Sequence, residues 1–168
     1  MQVRRLLPAD AVPYREIRLE ALWLAPEAFS STLASESGAP ESWFAARLDD
    51  GALFGAFIDD TLLGIAGLFV REGGKEAHKG ILWGMYVRPG ARRIGIGSRL
   101  VEAVIDHARP QIEAIMVAVV SSNEPARRLY SALGFVEYGI EKNALKEDGR
   151  YWDEVLMARS LLPDEGIL

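Results

Sequence analysis

The chain has 168 residues, of which 49% are hydrophobic and 26% are charged, and its formal net charge is −5 at pH 7. This balance predicts one globular domain across residues 1–168, and it excludes a disordered or fibrous protein and argues against a general nucleic-acid surface. Cysteine is absent and the two histidines make a poor metal site, and the apolar runs are too short to cross a bilayer, so we expect a cytoplasmic protein with neither metal nor membrane partner.

The first fifty residues predict a short strand, "QVRRLL", followed by two helices. The first helix runs from about Ala9 to Leu24 and has apolar residues at helical spacing. The second runs from Pro40 to Leu48 and opens with Pro-Glu-Ser, a plausible helix start. The polar segment 30–42 between them predicts a loop.

Three strands follow in the middle of the chain. "ALFGAFID" and "LLGIAGLFVRE" are apolar runs joined by Asp59, Asp60 and Thr61, which is hairpin spacing with turn-forming residues. "GILWGMYV" then forms the third strand, after an "EGGK" turn. We expect the first two strands to pair as a hairpin.

The last third of the chain alternates between helices and strands. Residues 96–109 carry one apolar stripe at helical period and stop at Pro110. The elements that follow are a buried strand, a helix closed by glycine and two further strands, namely "EAIMVAVV", "NEPARRLYSALG", "FVEYGIEK" and "RYWDEVLMARSL". The order β-α-α-β-β-β-α-β-α-β-β predicts an α/β (α+β) fold with a mixed, mostly antiparallel sheet of about seven strands and about four flanking helices.

The turn "RRIGIG" before the helix at 96 combines two arginines with two glycines. A helix start offers unpaired N–H groups and a partial positive charge, glycines let an anion approach, and arginines add charged donors. The turn therefore fits a phosphate cradle, although a solvated arginine pair at a tight turn has the same sequence. A Walker loop is excluded because Ser98-Arg99 replaces Lys-Ser/Thr, and a dinucleotide fingerprint is excluded because Leu100 replaces its third small residue.

The same turn, as Arg-x-x-Gly-x-Gly, resembles the pyrophosphate loop of the GNAT (GCN5-related N-acetyltransferase) superfamily. "MYVRP" before it looks like that family's central strand and exit, and "NEPARRLYSALGF" is similar to its second conserved segment. The motifs cover residues 83–135, and the element order extends the likeness over nearly the whole chain. The resemblance implies the GNAT fold.

The resemblance also implies acetyl-CoA as cosubstrate. Loop N–H groups would hold its pyrophosphate, and the central strand would pair with pantetheine and offer an N–H group to the thioester oxygen. The implied cofactor-binding residues are Met85, Tyr86, Val87, Arg92, Arg93, Ile94, Gly95, Ile96, Gly97, Ser98, Asn123 and Tyr130.

Two of these residues have alternative interpretations. Tyr130 matches the tyrosine that often protonates the leaving CoA thiolate, but it shares a helical face with leucines and fits equally a core aromatic. Asn123 matches an asparagine that contacts the cofactor, but it is also a good N-cap before Glu124 and Pro125.

Acetylation of an amine, the reaction that the resemblance implies, also requires a group that accepts a proton from the amine. Glu76 and His78 lie at the entry of the central strand and share two-residue spacing with Tyr86, so one face presents all three unless a bulge resets the register. A solvated strand entry, or a base supplied by water, is the alternative.

Two sets of residues are candidates for the acceptor pocket: carboxylates and a tyrosine at Glu141, Asp148, Tyr151, Asp153 and Glu154, and N-terminal residues Arg18, Trp23, Phe29 and Trp43.

Three functions follow as hypotheses. The first is an acetyl-CoA-dependent N-acetyltransferase that acts on a primary amine of a small molecule, peptide or protein, with Tyr130, Glu76 and His78 as catalytic candidates. The second is a non-catalytic acyl-CoA-binding regulatory module of the same fold. The third is an antiparallel-sheet protein that binds another phosphorylated ligand. Exposed sheet edges are compatible with a homodimer.

Overall fold

The computed structural model describes residues 1–163. Its seven strands are β1 (Gln2–Arg5), β2 (Ala52–Ile58), β3 (Thr61–Val70), β4 (Lys79–Val87), β5 (Ala114–Val120), β6 (Val136–Glu147) and β7 (Arg150–Ser160). Its helices are α1 (Ala11–Leu24), α2 (Leu33–Glu36), α3 (Glu41–Asp50), α4 (Ile96–Ala108) and α5 (Glu124–Ala132). Within this part of the chain, no helix is both long and apolar enough to cross a membrane.

The seven strands form one sheet in the order β1-β2-β3-β4-β5-β7-β6. Every neighbouring pair is antiparallel except β4 and β5, which are parallel and joined by the crossover helix α4. The predicted mixed, mostly antiparallel sheet of seven strands is therefore confirmed. The predicted hairpin between β2 and β3 also forms, with Asp59 and Asp60 at positive φ values of 47° and 60°.

Each face of the sheet carries its own hydrophobic core because successive strand residues point to opposite faces. On β3, Ile65 belongs to the core under α1 and α3, whereas Ala66 belongs to the core under α4. Helix α4 contributes its predicted apolar stripe in full, namely Ile96, Leu100, Val101, Val104, Ile105 and Ala108. The sheet is thus held between two helical layers, which fixes the positions of its strand ends.

The prediction of a plain loop over residues 30–42 was wrong in part, because α2 lies within it. Thr32 begins this helix by accepting a hydrogen bond from the Ser35 N–H group at 3.2 Å. Glu36 ends it and is buried, with its carboxylate accepting two hydrogen bonds from Arg18 of α1. The polar composition of the segment therefore reflects a cap and a buried ion pair. The structure accordingly has five α-helices in the described residues, where the sequence predicted about four.

Strands β4 and β5 separate along their length. They pair over three positions, from Lys79↔Ala114 to Ile81↔Met116, and the rest of each strand has no partner in the other. Gly84 has a positive φ of 64°, and the β3–β4 register shifts at this position, which makes a β-bulge. Backbone groups near the carboxyl ends of β4 and β5 therefore face an opening in the middle of the sheet.

Candidate active site

The opening between β4 and β5 continues into a cleft with a volume of about 690 Å³. The end of β4, the turn before α4, and the N-termini of α4 and α5 form its walls. The predicted cofactor residues that line it are Met85, Tyr86, Val87, Arg92, Arg93, Gly95, Ile96, Gly97, Ser98 and Asn123. The fold therefore brings ten of the twelve predicted cofactor residues to one cleft.

The α4 helix begins in this cleft without a side-chain cap. Its N-cap residue is Gly95, which has a positive φ of 86°, and among residues 1–163 no side chain caps the first turn. The N–H groups of Ile96, Gly97 and Ser98 are the ones that an α-helix leaves without intrahelical partners. With the partial positive charge of the helix end, they form a site for an anion.

The two glycines of the turn have different local roles. A Cβ atom at Gly95 meets no atom within 4 Å, so the backbone conformation and not space favours glycine there. A Cβ atom at Gly97 lies 3.2 Å from Leu129 of α5 and 3.2 Å from Met85 of β4. Gly97 therefore allows α4 to approach both neighbours closely, a packing role that the phosphate interpretation of the sequence did not include.

The two arginines of the turn take up different positions. The Arg92 Nε–H group donates to the Val87 backbone oxygen at 3.0 Å, which ties the turn to the end of β4. Arg93 is exposed and has a positive φ of 66°. Ile94 of the turn is also exposed and does not line the cleft.

The second helix N-terminus at the cleft, that of α5, is already capped. The Asn123 side-chain oxygen accepts a hydrogen bond from the Ala126 N–H group at 3.3 Å. The N-cap interpretation of Asn123 is therefore confirmed, and Asn123 also lines the cleft. The contrast with α4 leaves one uncapped helix end to hold an anion.

Tyr130 lies one helical turn beyond Ala126, which lines the cleft, but Tyr130 itself belongs to the core under α4 and does not line the cleft. Its side chain is 3% exposed and its ring packs against Phe135, with 5.5 Å between the ring centroids. Burial raises the pKa of the Tyr130 phenol above its ordinary value, so the hydroxyl keeps its proton across the physiological range. The core-aromatic interpretation thus describes its packing, and its role as an acid stays a prediction.

A second cavity, of about 550 Å³, lies on the α1–α3 face of the sheet. We call it the acceptor cavity because Arg18, Phe29 and Glu154, which the sequence offers as candidates for an acceptor pocket, line it. It meets the first cleft at Ala28 and Phe29, which line both, and at the bulge, where Gly84 faces the cavity and Met85 faces the cleft. Phe69 and Trp83 add aromatic walls.

The acceptor cavity has a positive end. Arg18 is 3% exposed, and its Nε and Nη2 groups donate to the two Glu36 carboxylate oxygens at 2.9 and 2.8 Å. Arg47 reaches the same carboxylate at 3.5 Å, and its guanidinium lies 4.6 Å from the Trp43 ring centroid and 5.1 Å from that of Trp83. Two cations thus share one carboxylate. Burial opposes ionisation of Glu36, but hydrogen bonds and charge from Arg18 prevail and hold its pKa below the ordinary value.

Glu154 of β7 supplies the negative charge at the other side of this cavity. It is partly buried, and in the described part of the chain its carboxylate has neither an ion-pair partner nor a hydrogen bond. Burial, together with the nearby charge of Glu141, raises its pKa above the ordinary value.

The structure does not bring Glu76 and His78 to either cavity. Both are exposed and precede β4, and the Glu76 carboxylate pairs with Arg71. His78 is seven residues from Met85, which is about 20 Å along a strand. The expectation that these two residues share a face with Tyr86 is corrected by the bulge at Gly84, which places Tyr86 in the α1–α3 core.

Tyr86 has its own partner there. Its hydroxyl donates to Glu20 at 3.1 Å, and burial together with this carboxylate raises its pKa to about 12.

Part of the acceptor cavity was predictable from the sequence. Arg18, Phe29 and Glu154 line it as proposed. The other candidates do not, namely Trp23, Trp43, Glu141, Asp148, Tyr151 and Asp153. The residues not predicted are Arg47, Phe69 and Trp83, which line the cavity, and Glu36, which pairs with both of its arginines. No motif marks them, because they come from four separate elements and meet only after folding.

Comparison with known proteins places this architecture in a family. The family model described as "Acetyltransferase (GNAT) family" matches residues 15–135. A phosphinothricin N-acetyltransferase from Streptomyces coelicolor is 33% identical over 78 residues, which are 46% of this chain and 46% of that protein. A mycothiol acetyltransferase from Thermomonospora curvata is 33% identical over 102 residues, which are 60% of this chain and 32% of that protein. The matches thus span about half or less of these relatives' own lengths.

Solved structures share the whole fold. A putative acetyltransferase from Salmonella typhimurium, solved with its cofactor acetyl-CoA, has a TM-score of 0.84 and 22% identity, and the match covers 100% of this chain and 98% of that one. A phosphinothricin acetyltransferase from Sinorhizobium meliloti in complex with acetyl-CoA has a TM-score of 0.82 and 22% identity, covering 99% and 94%. At this identity the likeness establishes the fold.

Proposed function

Because the chain belongs to the acetyltransferase (GNAT) family, we propose that it transfers an acetyl group from acetyl-CoA directly to a primary amine. The observation that carries the proposal is the opening between β4 and β5 with the uncapped start of α4 at its rim. A nucleotide with a pyrophosphate and a long polar arm fits both features. The two acetyl-CoA complexes of the same fold support this choice of cosubstrate.

The residues at the cleft divide the binding of acetyl-CoA between them. The N–H groups of the turn and of the first turn of α4, together with Arg93, bind the pyrophosphate. The end of β4 offers backbone groups to the pantetheine arm, since β5 does not pair with them. The arm then leads to the bulge at Gly84 and Met85, where cleft and cavity meet.

Catalysis at the bulge needs a donor for the oxyanion and a proton for the leaving thiolate. A backbone N–H group of β4 next to Gly84 is the donor that the fold holds in place, and fixed donors of this kind lower the barrier without reorganisation. Burial raises the pKa of Tyr130 and keeps its phenol protonated, so a proton is available there for the thiolate as it forms. Acetyl-CoA supplies the activated acyl group, so the protein needs no nucleophile of its own.

The acceptor enters by the other cavity, which is separated from the cleft by the β4 bulge. In this proposal acetyl-CoA reaches the bulge from the cleft and the amine reaches it from the cavity, and the two cavities adjoin at Gly84 and Met85, which supports direct attack. The volume and the aromatic walls fit a small-molecule amine.

The experiment is a free-thiol assay with acetyl-CoA and a panel of primary amines that includes phosphinothricin, the substrate in the name of one relative. We expect thiol release that depends on an amine and stops when the amine is omitted. Acetyl-CoA binding without turnover of any amine supports the non-catalytic acyl-CoA-binding module instead. Absence of acetyl-CoA binding to the folded protein contradicts both.

A further inference from the structure

Glu154 is a carboxylate in the acceptor cavity that has no partner among residues 1–163. Of the described residues that line this cavity, three are charged, and the two arginines share Glu36 while Glu154 has no cation. A partly buried carboxylate without a partner is costly unless a ligand supplies one. Its position in the cavity is therefore best explained by a cationic group on the ligand.

The sheet register places Glu154 level with the bulge. Ile81 is opposite Met116, so three residues further along these parallel strands Gly84 is level with Val119. The next residue of β5, Val120, pairs with Glu154 of β7. Two strand spacings separate β7 from β4, which is at least about 10 Å. The gap can hold an amine between the carboxylate and the bulge.

We propose that Glu154 binds the ammonium group of the acceptor and accepts its proton. This inference rests on the proposed acetyl transfer and identifies the base that Glu76 and His78 do not supply. The acceptor is then a small molecule that enters as a cation.

The proton and electron balance is complete without a further reactant. One ammonium N–H bond breaks and its proton goes to the Glu154 carboxylate, which leaves the nitrogen lone pair free. The nitrogen bonds to the acetyl carbon, the C–S bond breaks, and its electrons leave with the thiolate. A second proton from the nitrogen replaces the one that Tyr130 gives to the thiolate, and Glu154 returns its proton to solvent.

The charges around Glu154 set the pH dependence. Burial raises the pKa of Glu154, and so does the charge of Glu141, which lies opposite it on β6. Arg18 of α1 and Arg47 of α3 share the cavity, and Glu36 of α2 offsets one of these two cations. Protonated Glu154 can neither bind an ammonium group nor take its proton, so kcat/KM falls as pH decreases through its raised pKa.

The test compares Glu154→Gln with Glu147→Gln, a matched change at an exposed residue of the β6 end. The assay uses the best amine of the panel and, in parallel, hydroxylamine, which is largely uncharged at neutral pH. For Glu154→Gln we expect a loss of about 100-fold in kcat/KM for the alkyl amine at pH 7, within the range for general bases. The loss shrinks as pH rises towards the pKa of the amine, and it is small for hydroxylamine.

Acetyl-CoA calorimetry on the same variants separates this inference from the proposed function. If the wild type is active but Glu154→Gln loses the same factor in kcat/KM for both amines at every pH, Glu154 has a structural role and the inference is overturned. Activity of Glu154→Gln equal to that of the wild type also overturns it. Acetyl-CoA binding with no turnover of any amine by the wild type also overturns it. Loss of acetyl-CoA binding by the wild type rejects the proposed function itself. Glu141→Gln, by lowering the pKa of Glu154, is expected to move the acid limb to lower pH.

Discussion

The cleft and the acceptor cavity lie on the two sides of one bulge but are built in different ways. The cleft is made largely by two continuous segments, residues 85–98 and 120–129, and its anion site consists of backbone N–H groups. The cavity draws its polar groups from separate elements, and side chains form it. Under the proposed function, binding of the cosubstrate therefore rests on backbone geometry, whereas acceptor selection rests on side chains from separate elements.

Glu36→Gln tests the side chains that form the acceptor cavity, and it has the largest expected effect on free energy of the proposed changes. It leaves the buried Arg18 guanidinium without its charged partner, and breaking a buried pair costs about 4 kcal/mol of unfolding free energy. Urea unfolding measures the change, with Glu16→Gln on the exposed face of α1 as control.

The lowered pKa of Glu36 determines how the stability of the protein changes with pH. The stability that its charge contributes is present above the unfolded-state pKa and is lost as pH falls through the folded-state pKa. The difference in unfolding free energy between the wild type and Glu36→Gln should therefore become smaller at acidic pH. Equal stability at pH 7 would show that the pair does not hold α2 on α1.

Ser98→Asp tests the cleft side. The new carboxylate stands in the first turn of α4 and repels a bound pyrophosphate by about 3 kcal/mol, which is roughly 150-fold in the dissociation constant of acetyl-CoA. The same charge favours the helix N-terminus, so the melting temperature of the free protein should not fall. Ser98→Ala is the control and should keep most of the affinity. Unchanged affinity in the aspartate variant contradicts an anion site at this helix end.

Tyr130→Phe asks whether the buried phenol beneath the cleft takes part in the reaction. We expect kcat to fall by about 100-fold with acetyl-CoA affinity unchanged, because a general acid is removed and the ring packing is kept. Tyr138→Phe removes an exposed hydroxyl and is the control. Full activity of Tyr130→Phe would mean that Tyr130 only packs in the core and takes no part in the reaction.

Gly84→Ala alters the segment that both cavities share. Alanine at a positive φ costs about 1–2 kcal/mol of unfolding free energy, although the nearest atom to its Cβ is Arg18 Nη1 at 4.0 Å. Gly90→Ala is the matched control, since its φ is not positive and no atom lies within 4 Å. Equal stability of the two variants would mean that alanine is not strained at position 84.

Much of the fold was predictable because hydrophobic period and turn residues are local signals. All seven strands and four of the five helices lie where the sequence predicts them, with ends shifted by a few residues. Helix α2 was missed because it consists of four polar-flanked residues, and its burial depends on Arg18 from another helix. Propensity and period contain no information on such a partner.

The cofactor side of the site was predictable for the same reason, since one contiguous motif supplies most of it. The acceptor side was not, because Glu36, Arg47 and Trp83 meet only through tertiary packing. The two-residue spacing that linked Glu76 and His78 to Tyr86 failed at Gly84, since one extra residue in a strand reverses the face of all that follow.

The most direct test of the account is calorimetric titration of the protein with acetyl-CoA and, separately, with adenosine 3′,5′-bisphosphate, which lacks the pyrophosphate and the pantetheine arm. The account predicts that acetyl-CoA binds with one site per chain and much more tightly, because the open end of β4 and the start of α4 bind the parts that the bisphosphate lacks. Equal affinity for the two ligands, or no binding of acetyl-CoA to the folded protein, would contradict it.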